Sequence, residues 1–563
     1  MRRPTVLGAL AGSLVAGCAT AGAPNPNAHG PTAPGARLYV GPAFVTADDG
    51  AAPLRAIAVG ADGRIEAVYD AIPSPPPADA LVVRLPGAVA VPGLVDAHVH
   101  LAWIGRAQET LDVHGAASPA EVRGKVAALR RQRPDLAVVT GGGWDQELFP
   151  DRAFPTAADL EDTGGGGLVA LQRVDGHAIW VNAAGVALIE RYLADQGGER
   201  PGERVLRGAD GRPSGVVVDP SDALRKVLAA PETAADRERW LTHGLVAAAR
   251  AGLVGVHFMA ATVAELESLA AIARREGALP VRVAVYLGDD AATWAWLDAH
   301  PPGPVDVAPD VRVVGVKVFA DGALGSRGAA LLAPYSDAPG ERGLMAPEET
   351  LLTAARRAHA HGLPIAIHAI GDRGNRVALD VIAAARGDGP ALRDRIEHAQ
   401  VVAPEDWSRF AALGVVASMQ PTHATADMGF AEARLGRERL VGAYAWRTVL
   451  DRGIPLAFGS DAPVESVSPA LGIHAAVTRE DGAGQPAGGW LPDERLTALE
   501  AIRAYSRGAA YAVSEEADRG RFAPGYVFDA TCFDVDATRD PRAWLEAAVT
   551  ATVQGGRPLD VSR

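Results

Sequence analysis

The sequence predicts an α/β fold, a (β/α)8 barrel with an insertion after its first strand and a β unit assembled from both chain ends. Three observations lead there. Apolar, β-branched runs alternate with helical stretches through most of the 563 residues, the pattern of a parallel sheet with crossover helices. Eight such runs stand out: "GLVDAHVH", "GLVGVHF", "VRVAVYL", "VRVVGVKVF", "LPIAIHAI", "RIEHAQ", "GVVASMQ" and "IPLAFGSD". Short strand-and-turn segments occur at both ends of the chain.

In chain order, "MRRPTVLGALAGSLVAGC" opens with Arg2 and Arg3, continues through an apolar stretch and ends in small residues before Cys18. That stretch is too short to span a bilayer, which takes about 20 apolar residues. "LVAGC" resembles a bacterial lipobox. The expectation is a signal peptide over residues 1–18, lipidated at Cys18. The protein is then exported and lipid-anchored on the periplasmic or cell-surface side, at the outer membrane if the host is Gram-negative. Residues 19–36, rich in Ala, Pro, Asn and Gly, read as a flexible tether. Residues 37–92 form the first half of the β unit, with Asp62-Gly63 as a hairpin signal, and residues 516–563 form the second. The barrel occupies residues 93–515. Its runs read as strands free of internal charge and buried on both faces. Between them lie helices such as "ETLLTAARRAHAHG", which ends at Gly362. Residues from about 101 to 242 exceed what one crossover needs and read as an insertion near the active-site face. Gly164 to Gly167 are a loop there, because the Lys-Ser/Thr of a phosphate cradle is missing.

Composition narrows the function classes. With 48% hydrophobic and 22% charged residues, a large core is affordable. A formal net charge of -14 argues against a nucleic-acid binder. The partners expected are a small-molecule substrate, a membrane reached through the lipid anchor, and, as an open option, a second copy of the chain. The two cysteines are Cys18 and Cys532, so neither a disulfide framework nor a thiolate metal site is expected.

The chemistry lies at the strand ends. In "VDAHVH", His98 and His100 are two residues apart, and alternate strand residues share a face. The fourth run delivers Lys317, the fifth His368, the sixth His398 and the eighth Asp461. Barrel active sites are built on that face from several strand ends. Each residue alone has an ordinary structural explanation; six converging on one rim point to a metal centre.

At these residues the chain resembles the amidohydrolase superfamily, in its amidohydrolase-3 (YtcJ-like) branch. The likeness rests on "VPGLVDAHVHL", "GGGWDQELFPDRAFPT", "LQRVDGHAIWVN", "KVFADGALGSRGAAL", "HAIGDRGNR", "RIEHAQ", "QPTHATADM" and "GSDAPVES". It implies a distorted barrel, a β-sandwich made by both chain ends, and a divalent metal centre, most often two zinc ions. His98, His100, Lys317, His368, His398 and Asp461 match the ligand positions, and Asp461 also matches the catalytic aspartate. An ammonium has donors and no acceptor, so Lys317 fits only when deprotonated or converted by CO2 to a carbamate. The implied reaction is hydrolysis of a non-peptide C–N bond of amide or formamide type through a metal-activated hydroxide, with Asp461 as general base and then acid. Trp144, His177, His257, Arg327 and His423 are candidates to line the substrate pocket. The alternatives are an esterase or lactonase on the same centre and an inactive surface binding protein.

Overall fold

The eight runs become eight parallel strands in the computed structural model, which describes residues 35–387, 389 and 391–559. Barrel strands one to eight are Leu94–Val99, Leu253–Ala261, Arg282–Gly288, Val311–Phe319, Ile365–Ala369, Arg395–His398, Val416–Met419 and Leu456–Phe458. They bond to one another in that order. The circuit is distorted. Strands two and four have nine residues and strand eight only three. One isolated parallel bridge, Val99 to Ala462, joins the last strand to the first. At this seam Asp461 N donates to His98 O at 2.8 Å and His100 N donates to Ala462 O at 2.9 Å. Gly459 permits the approach: a Cβ there would lie 2.5 Å from His98 N, closer than atoms pack.

The strands are not free of internal charge. Asp96, Arg395 and Glu397 are buried inside the barrel. Burial of charge requires partners, and each has them. Asp96 accepts from Ser460 N at 2.9 Å and from His98 N at 3.0 Å. Arg395 donates from Nη2 to Ala97 O at 2.7 Å, to Ser418 Oγ at 2.6 Å and to Glu397 Oε2 at 3.0 Å. Its Nη1 donates to His257 Nδ1 at 3.0 Å.

The insertion is narrower than the sequence suggests. Helix Leu101–Ala107, which follows strand one, packs on helix Ala234–Arg250, which precedes strand two, so both belong to the barrel. Gly105 and Gly244 allow this contact: added Cβ atoms would lie 1.9 Å from Trp240 O and 2.2 Å from Leu101 O. The inserted strands run from Leu111–Asp112 to Pro213–Val218 and form a six-stranded sheet. It docks on the loop after strand four. Arg204 pairs with Glu341 at 2.6 Å, Gln146 Nε2 donates to Gly325 O at 3.2 Å, and Arg434 bonds both Glu147 and Asp337.

The chain ends meet as expected. Strand Val89–Pro92 pairs antiparallel with strand Ala530–Phe533, Ala90 opposite Cys532. The resulting eight-stranded sheet encloses its own core, with Tyr39, Phe44 and Ile57 from one end and Phe528, Cys532 and Val553 from the other. This is the β-sandwich companion of the barrel. Burial raises the Cys532 thiol to about 12, so it stays a protonated core residue. The signal, Cys18 and nearly all of the tether lie outside the described residues. Among the described residues no helix is long and apolar enough to cross a membrane.

Candidate metal centre

Strand alternation and two turned-in strand ends assemble the centre. Asp96 and His98 share one face of strand one, and His100 follows at its end as the N-cap of helix Leu101–Ala107. His398 and Asp461 have left-handed backbones, with φ of 71° and 61°. Such conformations cost on the order of 1–3 kcal/mol each and concentrate at functional sites. They turn both side chains into the barrel mouth. Asp461 Oδ1 lies 3.3 Å from His98 Nε2 and 3.2 Å from His100 Nε2. Ligand atoms of His98, His398 and Asp461 fall within 4.8 Å of one another. The His368 ring is 4.5 Å from that of His398. Lys317 Nζ, His368 Nε2 and Asp461 Oδ1 are buried and make no hydrogen bond among the described residues, although His368 Nε2 lies 3.5 Å from Asp321 Oδ1. Buried polar atoms ordinarily have partners; a cluster of exceptions with nitrogen and oxygen donors fits a divalent cation.

The protonation states agree. Burial, with the Lys317 charge beside it, lowers His98 to about 4. Burial and neighbouring imidazoles hold His368 and His398 well below the ordinary histidine range. All three are therefore neutral, the form that binds a metal. Burial alone would raise Asp461; His98, His100 and His398 outweigh it and hold the carboxyl well below its usual range. Burial brings Lys317 down to about 8, which makes the free amine accessible near neutral pH.

Two residues missed in the sequence orient two of these histidines. Glu397 Oε2 accepts from His98 Nδ1 at 2.6 Å, and Gln420 Oε1 accepts from His398 Nδ1 at 2.8 Å. Each bond fixes the tautomer that leaves Nε2 with its lone pair toward the centre. The available signal was "RIEH", two charges at alternate positions of a run that should be apolar.

Of the five pocket candidates, two reach the centre. His423 Nε2 is 3.7 Å from Asp461 Oδ2. The insertion brings the His177 ring to 4.9 Å from His368, with its Nδ1 held by Asp219. The other three have their partners elsewhere. Trp144 is fully buried in the core of the inserted sheet, its Nε1 donating to Leu171 O at 2.8 Å, because it ends a strand that packs inward. His257 lies inside the barrel against Arg395 rather than in the mouth. Arg327 has both prongs of its guanidinium on Asp337, at 2.9 and 3.3 Å, so it braces a loop. Two aromatics that the sequence did not single out stand at the mouth instead. Trp103 stacks on His100 at 4.7 Å, and Phe319 lies 5.4 Å from His368.

Comparison with known proteins is consistent with this geometry. A family model described as "Amidohydrolase family" matches residues 82–560. The amidohydrolase-type protein YtcJ of Bacillus subtilis (strain 168) is 32% identical, the match covering 81% of this chain and 85% of that one. An N-substituted formamide deformylase of Arthrobacter pascens is 26% identical, over 79% of this chain and 83% of that one. The crystal structure of an uncharacterized metal-dependent hydrolase from Pyrococcus horikoshii OT3 superposes with a TM-score of 0.71 at 26% identity, covering 90% of this chain and 99% of that one.

Two outcomes follow from the electrostatics. The Lys317 pKa is lower in the folded protein, about 8, than the ordinary 10.5. Ionising it therefore opposes folding, and in metal-free protein stability should rise between pH 8 and pH 10.5. Lys317→Met should remove up to about 3 kcal/mol of that rise; urea unfolding across the range would show it, and an unchanged slope would contradict the burial argument. Glu397→Gln should weaken divalent-metal affinity by about 10–100-fold, read by competition with a chromophoric chelator. Wild-type affinity in that variant would mean that His98 needs no orienting carboxylate.

Proposed function

The chain belongs to the amidohydrolase family, and from that premise we propose that it hydrolyses a non-peptide C–N bond, of amide or formamide type, with divalent metal bound at the barrel mouth. One observation carries this reading: buried atoms of Lys317, His368 and Asp461 that make no hydrogen bond among the described residues cluster with the imidazoles of His98, His100 and His398. An inactive binding protein has no physical reason to maintain so costly an arrangement. The formamide relative supports the bond type.

His98, His100, His368, His398 and Asp461 would hold two divalent ions. Zinc suits this set of imidazoles and oxygens. Lys317, converted to a carbamate, would add an anionic ligand, and its lowered pKa supplies the reactive amine for that conversion. When bound, such ions polarise a carbonyl and activate water. Asp461 is placed to hold the proton released in the attack. Its Oδ2 faces His423 Nε2 across 3.7 Å, on the side away from His98 and His100. From there the proton passes to the leaving nitrogen, and bond cleavage gives an amine and an acid. His177, fixed by Asp219, roofs the site from the insertion and limits access of bulk water.

Metal analysis of purified protein should find up to two divalent ions per chain, and their removal with a chelator should abolish turnover of N-formyl or N-acyl amides. Asp461→Asn should retain most of the metal yet lose about 10²-fold or more in turnover, the scale of a lost general base. A protein that refuses metal, or one that turns over lactones and no amide, would overturn this assignment.

We further propose that Cys18 carries a lipid anchor, on the strength of "LVAGC". Cys18→Ala should then move the protein from the membrane to the soluble fraction. Unchanged membrane association would exclude the anchor.

A further inference from the structure

Strand four presents Lys317 and Phe319 on one face, because residues two apart point the same way. Lys317 is 1% exposed, whereas Phe319 is 44% exposed. Phe319 is thus the next side chain outward from Lys317 on the inner wall of the mouth. Among the described residues it is the single aromatic among the exposed large hydrophobics. Its ring lies 5.4 Å from the His368 ring, and Lys317 Nζ lies 5.1 Å from its centroid. Three strand positions around the rim, Trp103 stacks on His100 with 23° between the planes. The Trp103 side chain is half-buried. The inserted loop closes over this wall: a Cβ on Gly176 would lie 3.7 Å from Trp103 Cζ3, and the adjacent His177 ring rests 4.9 Å from His368.

Apolar surface left open beside the most polar point of a protein is not explained by packing. Phe319 does not join the barrel core, and on strand four it pairs with His368 of strand five. A substrate that is polar throughout would bind there against a wall it cannot hydrogen-bond. A flat apolar group would shed water from both surfaces and take an offset or edge contact with the ring.

We propose that Phe319 is the specificity-determining residue of the site, and that the substrate carries an apolar, preferably aromatic, substituent next to the scissile bond. The inference rests on the metal-dependent reading of the same site. No bond changes at Phe319; it orders the substrate so that the carbonyl meets the metal positions and the substituent lies along strand four. Trp103 forms the facing wall.

The test uses the metal-loaded full chain and two inhibitors that share one metal-chelating group, acetohydroxamic acid and benzohydroxamic acid. Isothermal titration should show benzohydroxamate binding about 10-fold or more tighter. Phe319→Ala should bring the ratio of the two affinities close to one, and Phe319→Leu should restore part of it, at equal metal content. A wild-type protein that binds both equally, or a preference that survives in Phe319→Ala, overturns the apolar wall while leaving the metal centre standing. Failure of both hydroxamates to bind metal-loaded protein overturns the metal-dependent reading and this one together.

Discussion

One buried guanidinium indexes the barrel. Arg395, on strand six, bonds Ala97 of strand one, His257 of strand two, Glu397 beside it and Ser418 of strand seven, and its Nη1 lies 3.5 Å from Tyr286 Oη of strand three. A buried cation of this kind must be fully partnered or it destabilises the fold by several kcal/mol. Here its partners come from strands far apart in sequence, so satisfying the guanidinium fixes their relative register. The planar fork of arginine serves this better than the single point of a lysine. Two of the bonds converge on one candidate site residue, His98. Glu397 holds the His98 ring, and the Ala97 carbonyl belongs to the residue just before it. Ring and backbone of His98 are thereby set by the same group.

From this index the site follows outward in layers. The charged pair lies lowest, the neutral imidazoles above it, and the aromatic and histidine rim at the mouth. Each layer has a different dielectric task. The pair is neutral in sum, so it does not repel a cation above it. The imidazoles are kept uncharged by burial. Asp461 supplies negative charge where the barrel is least regular, at the seam between strands eight and one. The insertion adds its histidine from outside and is tied down by ion pairs to the loop after strand four, which places the roof relative to the strand that carries Lys317.

Much of this was legible in the sequence, for a definite reason. Parallel strands buried on both faces are continuous β-branched runs, so all eight were visible, and with them the residues at their ends. What failed was the reading of side chains whose environment depends on distant contacts. Trp144 and Phe319 are both aromatics close to a strand end; only the packing of the inserted sheet makes the first a core residue and leaves the second open. His257 and Arg327 could be told from mouth residues only by their partners, Arg395 and Asp337. The limits of the insertion were blurred because helix Leu101–Ala107 serves the barrel although inserted chain follows it directly.

The joining of the chain ends has a temporal consequence. Strand Val89–Pro92 is bonded to Ala530–Phe533, and nearby Leu94 N donates to Thr531 Oγ1 across 437 residues. At a synthesis rate of about 5–20 residues per second, the first edge waits roughly 20 to 90 seconds for its partner. Throughout that interval the strand adjoining the one that carries His98 and His100 has an unsatisfied edge. A chain that ended before Ala530 would have every barrel strand but leave the segment before His98 and His100 unpaired on this edge. Strand Ala530–Phe533, which carries none of the candidate site residues, must therefore be made before the segment leading into strand one can settle.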